Sequence, residues 1–154
     1  KNLRKINHKT INPSSEWRFH QDIYLEKQDA HAIVHAHSVN ATAVSAHGND
    51  IPAFHYMIAL AGGNNIKCAK YATFGTKELS HNIIKALEER KACLMSNHGQ
   101  VAFGKSLSDA FELAEEIENI CHQYINTIKL GKPKILSDEE MKKILDKTKN
   151  YKKN

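Results

Sequence analysis

Three histidines stand out by their spacing. The stretch "AIVHAHS" sets His35 and His37 two residues apart in a run, residues 30–37, that otherwise reads as a strand. Side chains two apart on a strand leave the same face, so both imidazoles can aim at one point. His98, in "SNHGQ", lies at a sharp turn between two apparent strands, where Gly99 allows a close backbone approach. Imidazole is a preferred ligand for zinc and similar borderline ions, and a catalytic zinc commonly takes three protein ligands and leaves a position open. His35, His37 and His98 are therefore candidate metal ligands. The chain has 10 histidines, so an H-x-H pair can arise by chance, and two hydrogen-bonded histidines at a strand end would look the same. His8, His20, His31, His47, His55, His81 and His122 have no comparable placement and read as surface or neighbouring groups.

A carboxylate stands in "NPSSEWRFH". Ser14 or Ser15 suits a helix N-cap, with Glu16 in the first turn, where negative charge favours the helix dipole. Glu16 can serve only that role, or it can be an acid–base group beside a metal. Hydroxyls and free N–H groups at a helix start also form a cradle for phosphate. Tyr56 reads either as a half-buried aromatic or as a phenolic proton donor.

These residues need elements to hold them. The spacing of Phe19 and Ile23 predicts a helix from Ser14–Ser15 to about Lys27. Ser38 can cap a short helix that stops at Gly48. "GNDIP" reads as a loop, "AFHYMIALAGG" as a short helix and "NIKCAKY" as a strand. Thr76 caps a helix to about Arg90, with Leu79, Ile83, Ile84 and Leu87 inward, and "ACLMSNHGQVAFG" gives two strands broken at Asn97-His98-Gly99. Leu107, Phe111, Ala114, Ile117, Cys121, Ile125 and Ile128 recur at helical spacing across 107–130, and Gly131 and Pro133 end that helix. "SDEE" is a capping box for a last helix, 138–149. Strands and helices mix with no internal repeat, which predicts an α/β fold, a sheet covered by helices.

Composition narrows the function classes. A chain of 154 residues, 41% apolar and 25% charged, suits one globular domain. No apolar run is long enough to span a bilayer, and no targeting pattern opens the chain, so the default compartment is the cytoplasm. Cys68, Cys93 and Cys121 lie far apart without a C-x-x-C and read as reduced thiols. The net charge of +5 is concentrated in Lys-rich ends. It comes with no nucleic-acid-binding motif, and it suits small anionic metabolites equally well.

Taken together, "NPSSEWRFH", "VHAHS", "IPAFHYMIALAGG", "YATFGTKELS" and "SNHGQVAFG" resemble, in order and spacing, the class II aldolase/adducin family. The resemblance runs from about Asn12 to Tyr151. It implies a central, mostly antiparallel sheet covered by helices on both sides. It also implies zinc-dependent cleavage of a phosphorylated ketose to dihydroxyacetone phosphate and an aldehyde. His35, His37 and His98 match its zinc ligands, and Glu16 matches an acid–base carboxylate that can also approach the metal. Ser14 and Ser15 match part of the phosphate site. Tyr56 matches a tyrosine contributed across a subunit interface, and Phe74 and Tyr151 match residues near the aldehyde end. A homotetramer with sites between subunits is implied, with no nucleic-acid or membrane partner. In the family a segment with Gly-Asn and Thr-Gly phosphate loops precedes "PSSE", so residues 1–154 are expected to be one such domain without that segment. Two other readings stay open on the same scaffold: a pentulose-phosphate 4-epimerase and a non-catalytic adducin-like binding module.

Overall fold

The computed structural model describes residues 12–151 and the side chains of 12–148. Residues 1–13 read from the sequence as extended or irregular, and most of them lie outside that range.

The sheet that carries the histidines has the strand order β1-β6-β5-β4. β1 (Ala32–Ala36) and β6 (Gly99–Gly104) pair antiparallel, as do β6 and β5 (Ala92–Met95), while β4 (Cys68–Ala69) joins β5 in parallel. The expected, mostly antiparallel sheet is present, with one parallel edge. Alternation along the strands divides the core in two. Val34, Ala92, Leu94 and Ala102 face a cluster built from α2 (Val39–Ser45), α4 (Leu107–Lys129), α5 (Asp138–Tyr151) and a 3₁₀ helix at Tyr56–Ala61. Ile33, Cys93, Met95, Val101 and Phe103 face Phe19 and Ile23 of α1 (Trp17–Glu26) and Leu79 and Ile83 of α3 (Lys77–Ala86). Helices thus cover both faces, and His35 leaves the sheet on the α1 side with Ile33.

Thr76 caps α3 as expected, its Oγ1 accepting from the Leu79 amide at 3.2 Å. Ser137 likewise accepts from the Glu140 amide at 3.2 Å. Other expectations need correction. "NIKCAKY" is two short strands in different sheets: β3 (Asn65–Ile66) pairs with β2 (Ile51–Pro52), which lies inside the supposed "GNDIP" loop, and β4 pairs with β5. The Asp50 carboxylate accepts from Asn65 Nδ2 at 2.9 Å and from the Cys68 amide at 2.8 Å, holding the corner where the chain changes partner. The α4 stripe is also displaced. Ala110, Ala114, Ile117, Ile120 and Cys121 are buried, whereas Leu107, Phe111 and Ile128 are exposed. The first turn of α4 lies on Gly104, where an added Cβ would be 2.7 Å from the Ala110 nitrogen, so Ala110 faces inward there.

Candidate metal centre

His35 is placed by strand alternation and His37 by the chain leaving β1 for α2. In the strand register His35 sits opposite Val101 and Ala36 opposite Gln100. The Phe19 ring meets the His35 ring edge-on, centroids 5.3 Å apart. His98 reaches the same point from the β5–β6 turn. Asn97 adopts φ 55°, and the His98 amide donates to Met95 O at 3.0 Å and to Ser45 Oγ at 3.3 Å. At Gly99 a side chain would run into the Ala36 carbonyl oxygen and lie 3.2 Å from His37. The close approach expected of this glycine is what brings His98 beside His37.

Glu16 comes from the opposite helix. The expected order, serine cap followed by Glu16 in the first turn, is shifted: α1 begins at Trp17 and Glu16 itself occupies the cap position without capping. Ser14 Oγ accepts from the Glu16 amide at 3.2 Å, and Ser14 O accepts from the Trp17 amide at 3.1 Å. That tight turn releases the Glu16 side chain from the helix axis. Its Oε2 lies 2.8 Å from His35 Nε2 and its Oε1 3.2 Å from His98 Nε2. His37 Nε2 is 3.1 Å from His35 Nε2. One ligand atom from each of Glu16, His35, His37 and His98 lies within 4.8 Å of the other three.

This donor set fits a divalent cation. Gln100 O, a carbonyl, can only accept, so the 2.8 Å bond to His35 Nδ1 places the proton there. In the neutral ring Nε2 then presents a lone pair to the Glu16 carboxylate and to His37. Acceptors facing acceptors at these distances, three of the side chains nearly buried, call for a positive charge between them. Three imidazoles and a carboxylate are a set that zinc accepts. Burial, together with His35 and His37, holds the His98 pKa below its ordinary value despite Glu16, which keeps the ring neutral, the form that binds metal. His20, stacked on Phe19 at 4.5 Å, is lowered by burial and by His35, again against Glu16.

The remaining expected site residues are spread around this cluster. Ser14 and Ser15 are exposed. The loop bearing Phe74 abuts them: a Cβ at Gly75 would lie 2.9 Å from Ser15 O, and Phe74 itself is exposed. Tyr56 is exposed, with its ring against His55 at 4.8 Å. Tyr151 ends α5, and its side chain lies outside the described residues. An open recess of about 540 Å³ lined by Phe54, His55, His122, Thr127 and Lys134 includes none of the four cluster residues. Sequence reading missed Gln100, Ser45 and Glu118, which sit behind the histidines. Nothing in their spacing marks them, because each acts across elements far apart in the chain.

The chain is similar to known proteins. The profile of the class II aldolase and adducin N-terminal domain matches residues 2–125. The chain is 51% identical over 140 residues to the L-fuculose phosphate aldolase of Escherichia coli K12, covering 90% of this chain and 65% of that protein. It is 49% identical over 139 residues to the 5-methylthioribulose-1-phosphate/5-deoxyribulose-1-phosphate aldolase of Rhodospirillum rubrum, covering 90% of this chain and 63% of that protein. Among solved structures, an L-fuculose 1-phosphate aldolase superposes with a TM-score of 0.85 at 44% identity, over 89% of this chain and 64% of that one. YgbL from Escherichia coli superposes with a TM-score of 0.75 at 27% identity, over 87% of this chain and 66% of that one. The chain thus spans a little under two thirds of the curated relatives it matches, and the fold, the histidine and carboxylate cluster and the family profile together show that it belongs to the class II aldolase and adducin family.

Proposed function

We propose that the whole protein is a zinc-dependent aldolase that cleaves L-fuculose 1-phosphate, or a similar ketose 1-phosphate, to dihydroxyacetone phosphate and an aldehyde such as L-lactaldehyde. The observation that carries this reading is the convergence of the Glu16 carboxylate with three imidazoles, one ligand atom of each within 4.8 Å of the others. Relatives at about half identity are named as aldolases of different sugar phosphates.

His35, His37 and His98 would hold the ion, with Glu16 able to approach it when no substrate is bound. When bound, the ion supplies Lewis-acid stabilisation of the negative charge that develops on the substrate as the C–C bond beside the ketone breaks. Glu16 then holds or moves the substrate proton, its carboxylate already aimed at that point by the Ser14–Trp17 turn. Ser14 and Ser15, exposed at the start of α1, offer hydroxyls and amides to the phosphate. Phe74, on the loop against Ser15, and Tyr151 would line the aldehyde end. Tyr56, exposed at the surface, would deliver a proton to the aldehyde oxygen in a neighbouring subunit's site, within a homotetramer. The proposed compartment is the cytoplasm, where free thiols such as Cys68, Cys93 and Cys121 persist.

The test is release of dihydroxyacetone phosphate from L-fuculose 1-phosphate, followed by a coupled reductase. A change of sugar configuration without release would instead make the protein an epimerase. No stoichiometric divalent metal in the purified protein would favour a binding module.

A further inference from the structure

Behind the histidines lies a layer of polar contacts that ends on one residue. α2 begins directly after His37 and Ser38, yet Ser38 does not cap it with its side chain. The first amides of α2 go instead to the carboxylate of Glu118, on α4. Asn40 N and Nδ2 donate to Oε1 at 2.8 and 2.7 Å, and Ala41 N donates to Oε2 at 2.8 Å. Ser38, freed from capping, stands beside the Glu118 carboxylate as one of the groups that hold its carboxyl below the ordinary range. Ser38 Oγ accepts from Gln100 Nε2 at 2.9 Å. Gln100 is buried, and the same Nε2 also donates to Ala114 O at 3.0 Å. The backbone carbonyl of Gln100 is the group that holds the His35 ring.

We propose that Glu118 is a positioning residue for the metal centre: its carboxylate pins the chain just beyond His37, and through Ser38 and Gln100 it steadies the support of His35. The inference rests on the metal reading of the cluster. A local serine cap would satisfy the same amides of α2, but it would leave the His37 segment tied only to itself. A carboxylate from α4 ties that segment to the helix that packs on β6 and on β1, the strand that carries His35. Partners behind metal ligands set ring orientation, and their loss typically costs roughly 10–100-fold in metal affinity.

Zinc affinity of the intact protein is measured by chelator competition, at a temperature where the metal-free forms remain folded by circular dichroism. Glu118→Gln and Ser38→Ala are compared with Ser137→Ala, which removes the α5 cap remote from the site. The expected result is a fall in zinc affinity of about 10–100-fold in the first two. Ser137→Ala should lose thermal stability with unchanged affinity. If Glu118→Gln does not fold, Ser38→Ala decides by the same criterion, since it leaves the carboxylate on the α2 amides and cuts only the link to Gln100. Affinities within twofold of the parent would overturn the proposal and reduce Glu118 to a helix cap. A parent that binds no zinc would overturn the metal reading itself, so the two failures are distinguishable.

Discussion

Glu16 offers two oxygens to two imidazole nitrogens in a space that solvent barely reaches, and only a proton or a metal ion can reconcile them. The two possibilities give different outcomes on substitution. His98→Ala leaves two imidazoles and the carboxylate, so zinc affinity should fall by more than the roughly 10–100-fold typical of losing a partner behind a ligand. Unchanged metal content would remove His98 from the ligand set. Glu16→Gln keeps the shape of the side chain but cannot act as a base. The variant should keep its metal and lose about 10²–10⁴-fold in turnover; turnover within a few-fold of the parent would leave Glu16 a ligand without an acid–base role. At this scale the sequence was informative, because His35, His37 and His98 announce themselves by type and spacing. The direction in which Glu16 points was not legible. A helix-dipole partner and a metal-facing carboxylate look the same in "PSSE" until the backbone of the turn is known.

Elements set the geometry in which those residues meet. The β5–β6 turn works because Gly99 has no side chain: any Cβ would meet the backbone of Ala36 and His37, which cannot rotate away. Gly99→Ala should therefore cost about 1–3 kcal/mol. In a domain of this size that is a fall in Tm of several degrees, at about 2–4 °C per kcal/mol. A variant with the parent's Tm would show that the turn can yield. The docking of α2 on α4 should be sensitive to acid. Burial pushes the Glu118 carboxyl up, but hydrogen bonds from Ser38, Asn40 and Ala41 outweigh it and hold the group below the usual carboxylate range. Because the folded state resists protonation, the unfolded chain takes up the proton first. The stabilisation is complete above the unfolded value of about 4.3 and disappears as pH falls through the lower folded value. Unfolding of the metal-free protein should show the parent more stable than Glu118→Gln at pH 7, with the gap closing in strong acid. A gap that persists there would mean that packing, not charge, separates the two.

For the whole molecule, the question is whether one chain completes a site. Tyr56 is exposed, and Trp17, Tyr71, Phe74, Leu107 and Phe111 are exposed as well. Isolated exposed apolar side chains are ordinary, but so many large ones leave room for contact with further copies of the chain. If Tyr56 serves a neighbour, Tyr56→Phe should lower turnover without changing metal content. Subunits carrying Tyr56→Phe, dissociated and reassembled with subunits carrying Glu16→Gln, would then form some sites with both intact residues. Activity should rise above that of either parent. No recovery in verified mixed oligomers would place Tyr56 outside the chemistry, or in its own subunit's site.

The sequence by itself determined the local rules: which stretches alternate with a period of two, which recur at helical spacing, where Thr76 and Ser137 cap, and which imidazoles can share a face. Those depend on neighbours in the chain. The tertiary structure decided what depends on distant partners. It split "NIKCAKY" between two sheets because Asp50 bonds both halves, and it turned Ala110 inward because Gly104 leaves space for it. It also set Glu118, 78 residues from Asn40, behind His37. A hydrogen bond between residues so far apart leaves no periodicity to read, since only the packing of α4 against the sheet and α2 brings its two ends together.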